Sequence, residues 1–157
     1  NDILKASGTP RGSLYFHFPG GKEELVLAAL EASRDRWLEA IEGAFAAAPG
    51  LADAVQAVVD FLAVNLEESG YQKGCPIAAT VLDTAAQAPE IQKTSAVIYQ
   101  SWIQAIATGL SRADVTDAAD SAELILSIIE GALILARATQ STGPLKRAVR
   151  HIRQLLS

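Results

Sequence analysis

From Lys22 onward, apolar positions recur every three or four residues between short glycine and proline breaks, and no segment alternates for long as a strand would. The first run predicts one long helix from Lys22 to about Ala47, ended by Pro49-Gly50. Leu51, Val55, Val58 and Leu62 share one face of a helix over residues 51–69, which Gly70 stops. Gly74-Cys75-Pro76 makes a sharp corner before a short helix reaching about Gln87. Pro89 begins the next, to about Arg112, with Ile91, Ile98, Trp102 and Ile106 on one side. Residues 117–140 are apolar nearly all round in the middle (LILSIIEGALILA), and Gly143-Pro144 precedes a last helix striped by Leu145, Val149, Ile152 and Leu156. No repeat of 20–50 residues and no low-complexity linker interrupts the series. The fold class this predicts is all-α.

Residues 3–25, ILKASGTPRGSLYFHFPGGKEEL, carry a different message. They read as the end of one helix, a turn at Gly8, a short second helix, a Pro19-Gly20-Gly21 break and the start of a third. Thr9 is a good N-cap, and Pro10 fits the first helical position, where its missing N–H costs nothing. Two helices joined by a short glycine turn form a helix-turn-helix, whose second helix can lie in a DNA major groove. That helix holds Arg11, Ser13, Tyr15 and His17 and no acid, with Leu14 and Phe18 four apart as core anchors. Gly12 costs about 1 kcal/mol against alanine in a helix, which close approach to a phosphate or base edge would justify. Lys22 stands beside the N–H groups that open the next helix and favour anions. Taken singly, each residue has an ordinary reading: a surface histidine, a half-buried tyrosine, a charged first turn. Phe16 and Phe18 are expected in the core under either reading.

The run Gly8-Thr9-Pro10-Arg11-Gly12-Ser13-Leu14-Tyr15-Phe16-His17-Phe18, followed by Lys22-Glu23-Glu24-Leu25, resembles the DNA-binding signature of TetR-type transcriptional regulators. The departures from that signature are mild. Thr9 stands at a hydrophobic place, Pro10 at the usual serine, Arg11 at the lysine and Phe16 at a second tyrosine. The longer Pro-Gly-Gly turn, with Gly74-Cys75-Pro76, is similar to the LmrA/YxaF-like branch. The resemblance implies that Thr9, Arg11, Gly12, Ser13, Tyr15, His17 and Lys22 meet DNA, with Tyr15, His17 and Lys22 mainly on phosphates. It also implies a DNA-binding domain remnant over residues 1–30 and a helical effector-binding and dimerisation domain over 31–157. A complete TetR-type head needs a first helix and most of a second before Asn1. The absence of methionine at position 1, as everywhere else, agrees with a reading frame whose start is missing.

Charge looks wrong for a DNA binder until it is divided. The 157 residues carry a net −5, but residues 1–22 balance at +2, residues 145–157 at +4, and the stretch between them at −11. The reading head is the part that should be basic. The basic tail lies off the apolar stripe of its helix, so a solvated face explains it. No run of eighteen apolar residues predicts a membrane span, and no leader resembles a signal peptide. A single cysteine, Cys75, excludes an internal disulfide and fits a reducing cytoplasm.

Burial on more than one side is expected for helix 117–140, one face in its own domain and one on a partner. Ser127, Ile128, Gly131 and Leu135, with Val149 and Ile152 of the last helix, are the expected interface of a homodimer that reads a palindromic DNA operator. A merely well-buried central helix is the simpler alternative. An apolar effector pocket is expected from Trp37, Ile41, Phe61, Leu62, Asn65, Tyr99, Trp102, Ile103 and Ile106, although aromatic residues at helical spacing also make ordinary core. No cluster of lysine or arginine is expected to face that pocket, which points to a small hydrophobic effector, neutral or cationic. Glu130 interrupts an apolar helix, where an unpaired carboxylate is costly. It has three expected uses: pairing with Arg137 of a partner, capping a dimer network, or attracting a cationic ligand.

Catalysis finds little support. The two histidines, His17 and His151, are far apart, and Cys75 has no companion at metal-ligand spacing. No phosphate loop, serine elbow or His-Glu-x-x-His run occurs. No cofactor or metal is expected. The predicted function is a TetR-like regulator, a repressor released by its effector, rather than an enzyme. The alternative is a helical ligand-binding or scaffold protein that no longer binds DNA.

Overall fold

The computed structural model of the protein describes residues 7, 8, 10–84 and 88–156, with all their side chains except those of Arg11 and Thr84. Every regular element among them is a helix: α1 Arg11–His17, α2 Lys22–Ala47, α3 Leu51–Glu68, α4 Pro76–Thr84, α5 Pro89–Ser111, α6 Ala118–Thr139 and α7 Gly143–Leu155. The breaks expected from glycine and proline fall within a residue or two of their places, and the break at residues 112–117 holds neither residue type. The N-cap expected at Thr9 and the extension of α4 to Gln87 lie outside the described residues. Pro10 sits just before α1 in an extended conformation rather than inside its first turn.

The turn from α1 into α2 depends on Gly21, whose φ of +70° is in the left-handed region where a side chain is strained. Phe18 accepts a hydrogen bond from Gly21 N–H at 2.8 Å. The carboxylate of Glu24 takes the Gly20 N–H at 2.7 Å, so a first-turn acid satisfies a donor near the helix start. From there α2 runs 26 residues without interruption, about 39 Å at 1.5 Å per residue. The boundary expected between residues 30 and 31 therefore falls inside an unbroken helix.

Helix α2 packs most extensively on α5, and α5 on α6, while α7 closes the bundle against α3 and α6. At the α2–α5 seam the Trp37 and Trp102 rings stack with centroids 4.5 Å apart and planes 16° from parallel. Trp102 is fully buried, and its indole N–H donates to the backbone carbonyl of Arg34 at 3.2 Å, so the one polar atom of that ring is satisfied. Further along the seam Phe45 lies directly against Gly109, with no room for a β-carbon. Around these contacts Ile41, Val55, Leu66, Ile77, Ile98, Leu110, Leu145 and Ile152 form one continuous core, each worth about 1.5–3 kcal/mol of apolar burial. No described helix is long and apolar enough to cross a membrane.

Candidate functional site

The short α1 presents its hydrogen-bonding residues outward. Tyr15 is 66% exposed, and Gly12, His17 and Lys22 are exposed as well, with Ser13 half-buried. Leu14 and Phe18, four residues apart on one face, are half-buried, and neither joins the main core, so Phe18 is not the core residue expected. The Tyr15 ring leans on the Gly21 turn, 3.5 Å from where a β-carbon there would sit. Nothing lies within 4 Å of the β-carbon position of Gly12, so the outer surface is open at that point. Phe16, expected in the core, is instead 80% exposed, its ring edge-on to His17. Helix α1 makes no extensive contact with another described helix, so nothing there covers Phe16. Thr9 lies outside the described residues, as does the side chain of Arg11.

A cleft of about 430 Å³ opens between α2, α3, the corner that follows α3, and α6, a volume within the range of small-molecule sites. Each helix contributes residues one turn apart: Ser33, Arg36 and Trp37 from α2, Phe61, Leu62, Asn65 and Leu66 from α3, Leu133 and Arg137 from α6. The corner adds Gln72, Lys73, Gly74 and Cys75. Asn65 organises the mouth: its amide donates to the Phe61 carbonyl at 2.6 Å, and its side-chain oxygen accepts from Arg36 Nη2 at 2.6 Å. The Arg36 guanidinium carbon stands 5.5 Å from the centre of the Phe61 ring.

Four of the nine residues expected in the pocket, Trp37, Phe61, Leu62 and Asn65, line this cleft. Ile41, Trp102 and Ile106 do not, because they are spent in the α2–α5 core, and Tyr99 and Ile103 pack partly buried against that core. The expectation of a cleft without basic residues is overturned by Arg36, Lys73 and Arg137 on its lining. Arg137 lies one turn beyond Leu133 on the same face of α6, whereas Arg36, next to Trp37 in sequence, is turned about 100° from it, and its place on the wall shows only once the helices pack. Lys73 sits in the corner, where no period operates.

A second cleft, also about 430 Å³, adjoins the first across Gly74, Cys75 and Arg137 and is lined further by Tyr71, Glu130 and Ile134. At its base the Cys75 sulfur is 3.9 Å from the Tyr99 hydroxyl. Both carboxylate oxygens of Glu130 are buried without a hydrogen-bond partner. Burial pushes the Glu130 carboxyl above the ordinary carboxylate range, offset in part by the Cys75 thiol. Burial, and then the charge of Glu130, push the Cys75 thiol up; burial, and then the charges of Cys75 and Glu130, do the same to the Tyr99 phenol. Both groups stay protonated at neutral pH, the opposite of what a nucleophile requires. No group of three or more metal-ligating side chains is assembled among the described residues.

On the outside of α6, Leu124, Ile134 and Leu135 are exposed large apolar residues, and Ser127 and Gly131 are exposed between them, with Ile128 half-buried alongside. Val149 and Ile152, expected to share an interface with these, are 2% and 0% exposed within the single chain. The apolar stripe of α7 is used up against α3 and α6, and its outer face shows Lys146, Arg147, Arg150 and His151.

Comparison with known proteins places this arrangement. The family model for the C-terminal domain of LmrA/YxaF-like transcriptional regulators matches residues 52–151. A helix-turn-helix-type transcriptional regulator of Mycobacterium tuberculosis is 31% identical over 164 aligned residues, covering 99% of this chain and 82% of that protein. The helix-turn-helix-type regulator LmrA of Bacillus subtilis is 26% identical over 147 residues, covering 92% of this chain and 78% of LmrA. In fold, a TetR transcriptional regulator from Legionella pneumophila matches with a TM-score of 0.87 at 21% identity, over 99% of this chain and 84% of that one. With the helix-turn-helix signature ahead of residue 25 and the family domain behind it, the chain belongs to the TetR-type transcriptional regulators, in their LmrA/YxaF-like branch.

Proposed function

We propose that the protein is a dimeric repressor whose grip on a palindromic operator is released by a small ligand in the cleft above Trp37. The observation that supports this most is the continuity of α2. One unbroken helix carries Lys22 at its first residue, beside the exposed face of α1, and Ser33, Arg36 and Trp37 on the wall of the cleft. Lys22 and Ser33 are about 17 Å apart along the axis at 1.5 Å per residue. A ligand that tilts α2 at the cleft therefore moves the reading head. Two heads must keep the spacing of adjacent major-groove segments, so a small tilt in each protomer suffices.

In this reading residues 1–30 belong to the DNA-binding head and residues 31–157 to the effector-binding and dimerisation part. Gly12, Ser13, Tyr15, His17 and Lys22 meet DNA, together with Thr9 and Arg11. The dimer forms through the outer face of α6, with Ser127, Ile128, Gly131 and Leu135 in the interface. Couplings of this kind are typically about 1–3 kcal/mol, or roughly 5–150-fold in affinity. The test is a thermal-shift screen of the full-length protein for stabilising ligands, followed by titration of its upstream DNA with and without each hit. A stabilising ligand should weaken operator binding by a factor in that range. Ligands that stabilise the protein and leave DNA affinity untouched would leave a ligand-binding protein without a switch.

A further inference from the structure

The cleft carries three cations, Arg36, Lys73 and Arg137, and no aspartate or glutamate among its lining residues, in a chain whose net charge is −5. Among the described residues none of the three forms an ion pair. The ion pairs among the described residues are Arg34 with Asp35 and Arg153 with Asp53. Arg36 is oriented instead by the neutral Asn65, through one of its guanidinium nitrogens, which leaves other N–H groups of its fork available. Glu130 shares the second cleft with Arg137, yet both of its carboxylate oxygens lack a hydrogen-bond partner, so it does not pair with that arginine. The Arg137 side chain lies against Gly74 at the corner, with Cδ 3.6 Å and Nη1 3.9 Å from where a β-carbon there would sit. Arg137 and Lys73 both line the same cleft. Like charges held together at a cleft mouth repel, and a bound anion relieves the repulsion.

All three cations are exposed residues at the mouth, whereas Trp37, Leu62, Leu66 and Leu133 are buried residues that give the floor. The division fits an amphipathic ligand with its polar end outward. We propose that the cleft binds an organic anion, a carboxylate or similar acid, with its charged end among Arg36, Lys73 and Arg137 and an aryl or acyl body on Trp37, Leu62 and Leu133. This rests on the reading of the cleft as the effector site and assigns that effector a chemical class. The planar fork of an arginine matches a carboxylate in a two-point contact, which lysine reinforces as a point charge.

The experiment is calorimetric titration of the full-length protein with two matched pairs: 2-naphthylacetate against 2-naphthylacetamide, and decanoate against decanamide. In at least one pair the acid should bind about tenfold tighter than its amide, the gain expected of a charge-assisted hydrogen bond. The Arg36→Gln, Arg137→Gln double variant, with an unchanged melting temperature, should lose that preference and keep its affinity for the amide. Equal affinity within both pairs would overturn the proposal, and so would failure of all four compounds to bind. A preference for the acid that survives in the double variant would place the anion elsewhere and overturn it too. DNA release is read separately in the same samples. An amide that binds as tightly as its acid and releases DNA sinks the anion and spares the switch; an acid that binds at the arginines without releasing DNA does the reverse.

Discussion

Glu130 is costly where it stands. Its carboxylate is buried on α6 without a well-formed hydrogen bond, the Cys75 thiol offsetting only part of the cost, and such a buried charge is relieved most simply by taking up a proton. The folded state therefore holds a proton that the unfolded chain releases near the ordinary value of 4.5. A raised folded-state value means that stability is fully present below that pH and is lost as pH rises through the folded value. Melting curves should show the parent falling behind Glu130→Gln as pH rises above about 4.5, with the two converging below it. Curves that stay parallel from pH 4 to pH 8 would show that Glu130 is satisfied in solution. Legibility at this scale was uneven. That Glu130 was out of place was plain from its apolar neighbours, and that Asn65 belonged to a pocket was expected. That Asn65 would hold Arg36 was not, because the pair is 29 positions apart and only tertiary packing joins them.

The helices themselves were readable almost to the residue, because glycine and proline punctuate the chain at nearly every boundary. What periodicity does not say is which neighbour an apolar face meets. The stripe of Leu145, Val149 and Ile152 is as clear as any, and its members Val149 and Ile152 were expected at a second subunit. It packs instead on α3 and α6 of its own chain. The same gap moved Ile41, Trp102 and Ile106 from a pocket wall into the core. The α2–α5 seam shows what such packing demands. Phe45 occupies the space that a β-carbon on Gly109 would need, so Gly109→Ala should destabilise the fold by about 1–3 kcal/mol, net of the roughly 1 kcal/mol that alanine gains in a helix. Chemical denaturation checks this, and pairing the change with Phe45→Leu should restore part of the loss. A Gly109→Ala protein as stable as its parent would mean that the seam is looser than it stands here.

For the whole molecule, two surfaces carry the account: the outer face of α6 and the outer face of α1. Within the single chain, nothing lies within 4 Å of the β-carbon position of Gly131. Gly131→Leu therefore leaves the monomer's own packing alone and raises local helix propensity. If α6 is the dimer interface, that variant should shift from dimer to monomer in sedimentation analysis, with its helical signal retained. A Gly131→Leu protein that sediments like its parent dimer would place the interface elsewhere. The fold and family follow from pattern and signature, while the charge of the cleft became visible only once three distant segments met. The central claim is that residues 11–22 hold a DNA backbone. It is tested most directly by fluorescence anisotropy of the full-length protein on its upstream palindrome and on unrelated duplex, across a salt series. Log affinity should fall linearly with log salt as counterions are released. The Tyr15→Phe, His17→Ala double variant should lose about tenfold or more on both duplexes, at about 1 kcal/mol per phosphate contact. Changes at Arg11 or Ser13 should instead alter base preference at one half-site position. Salt-independent binding, or a double variant that holds both duplexes as tightly as its parent, would contradict the account.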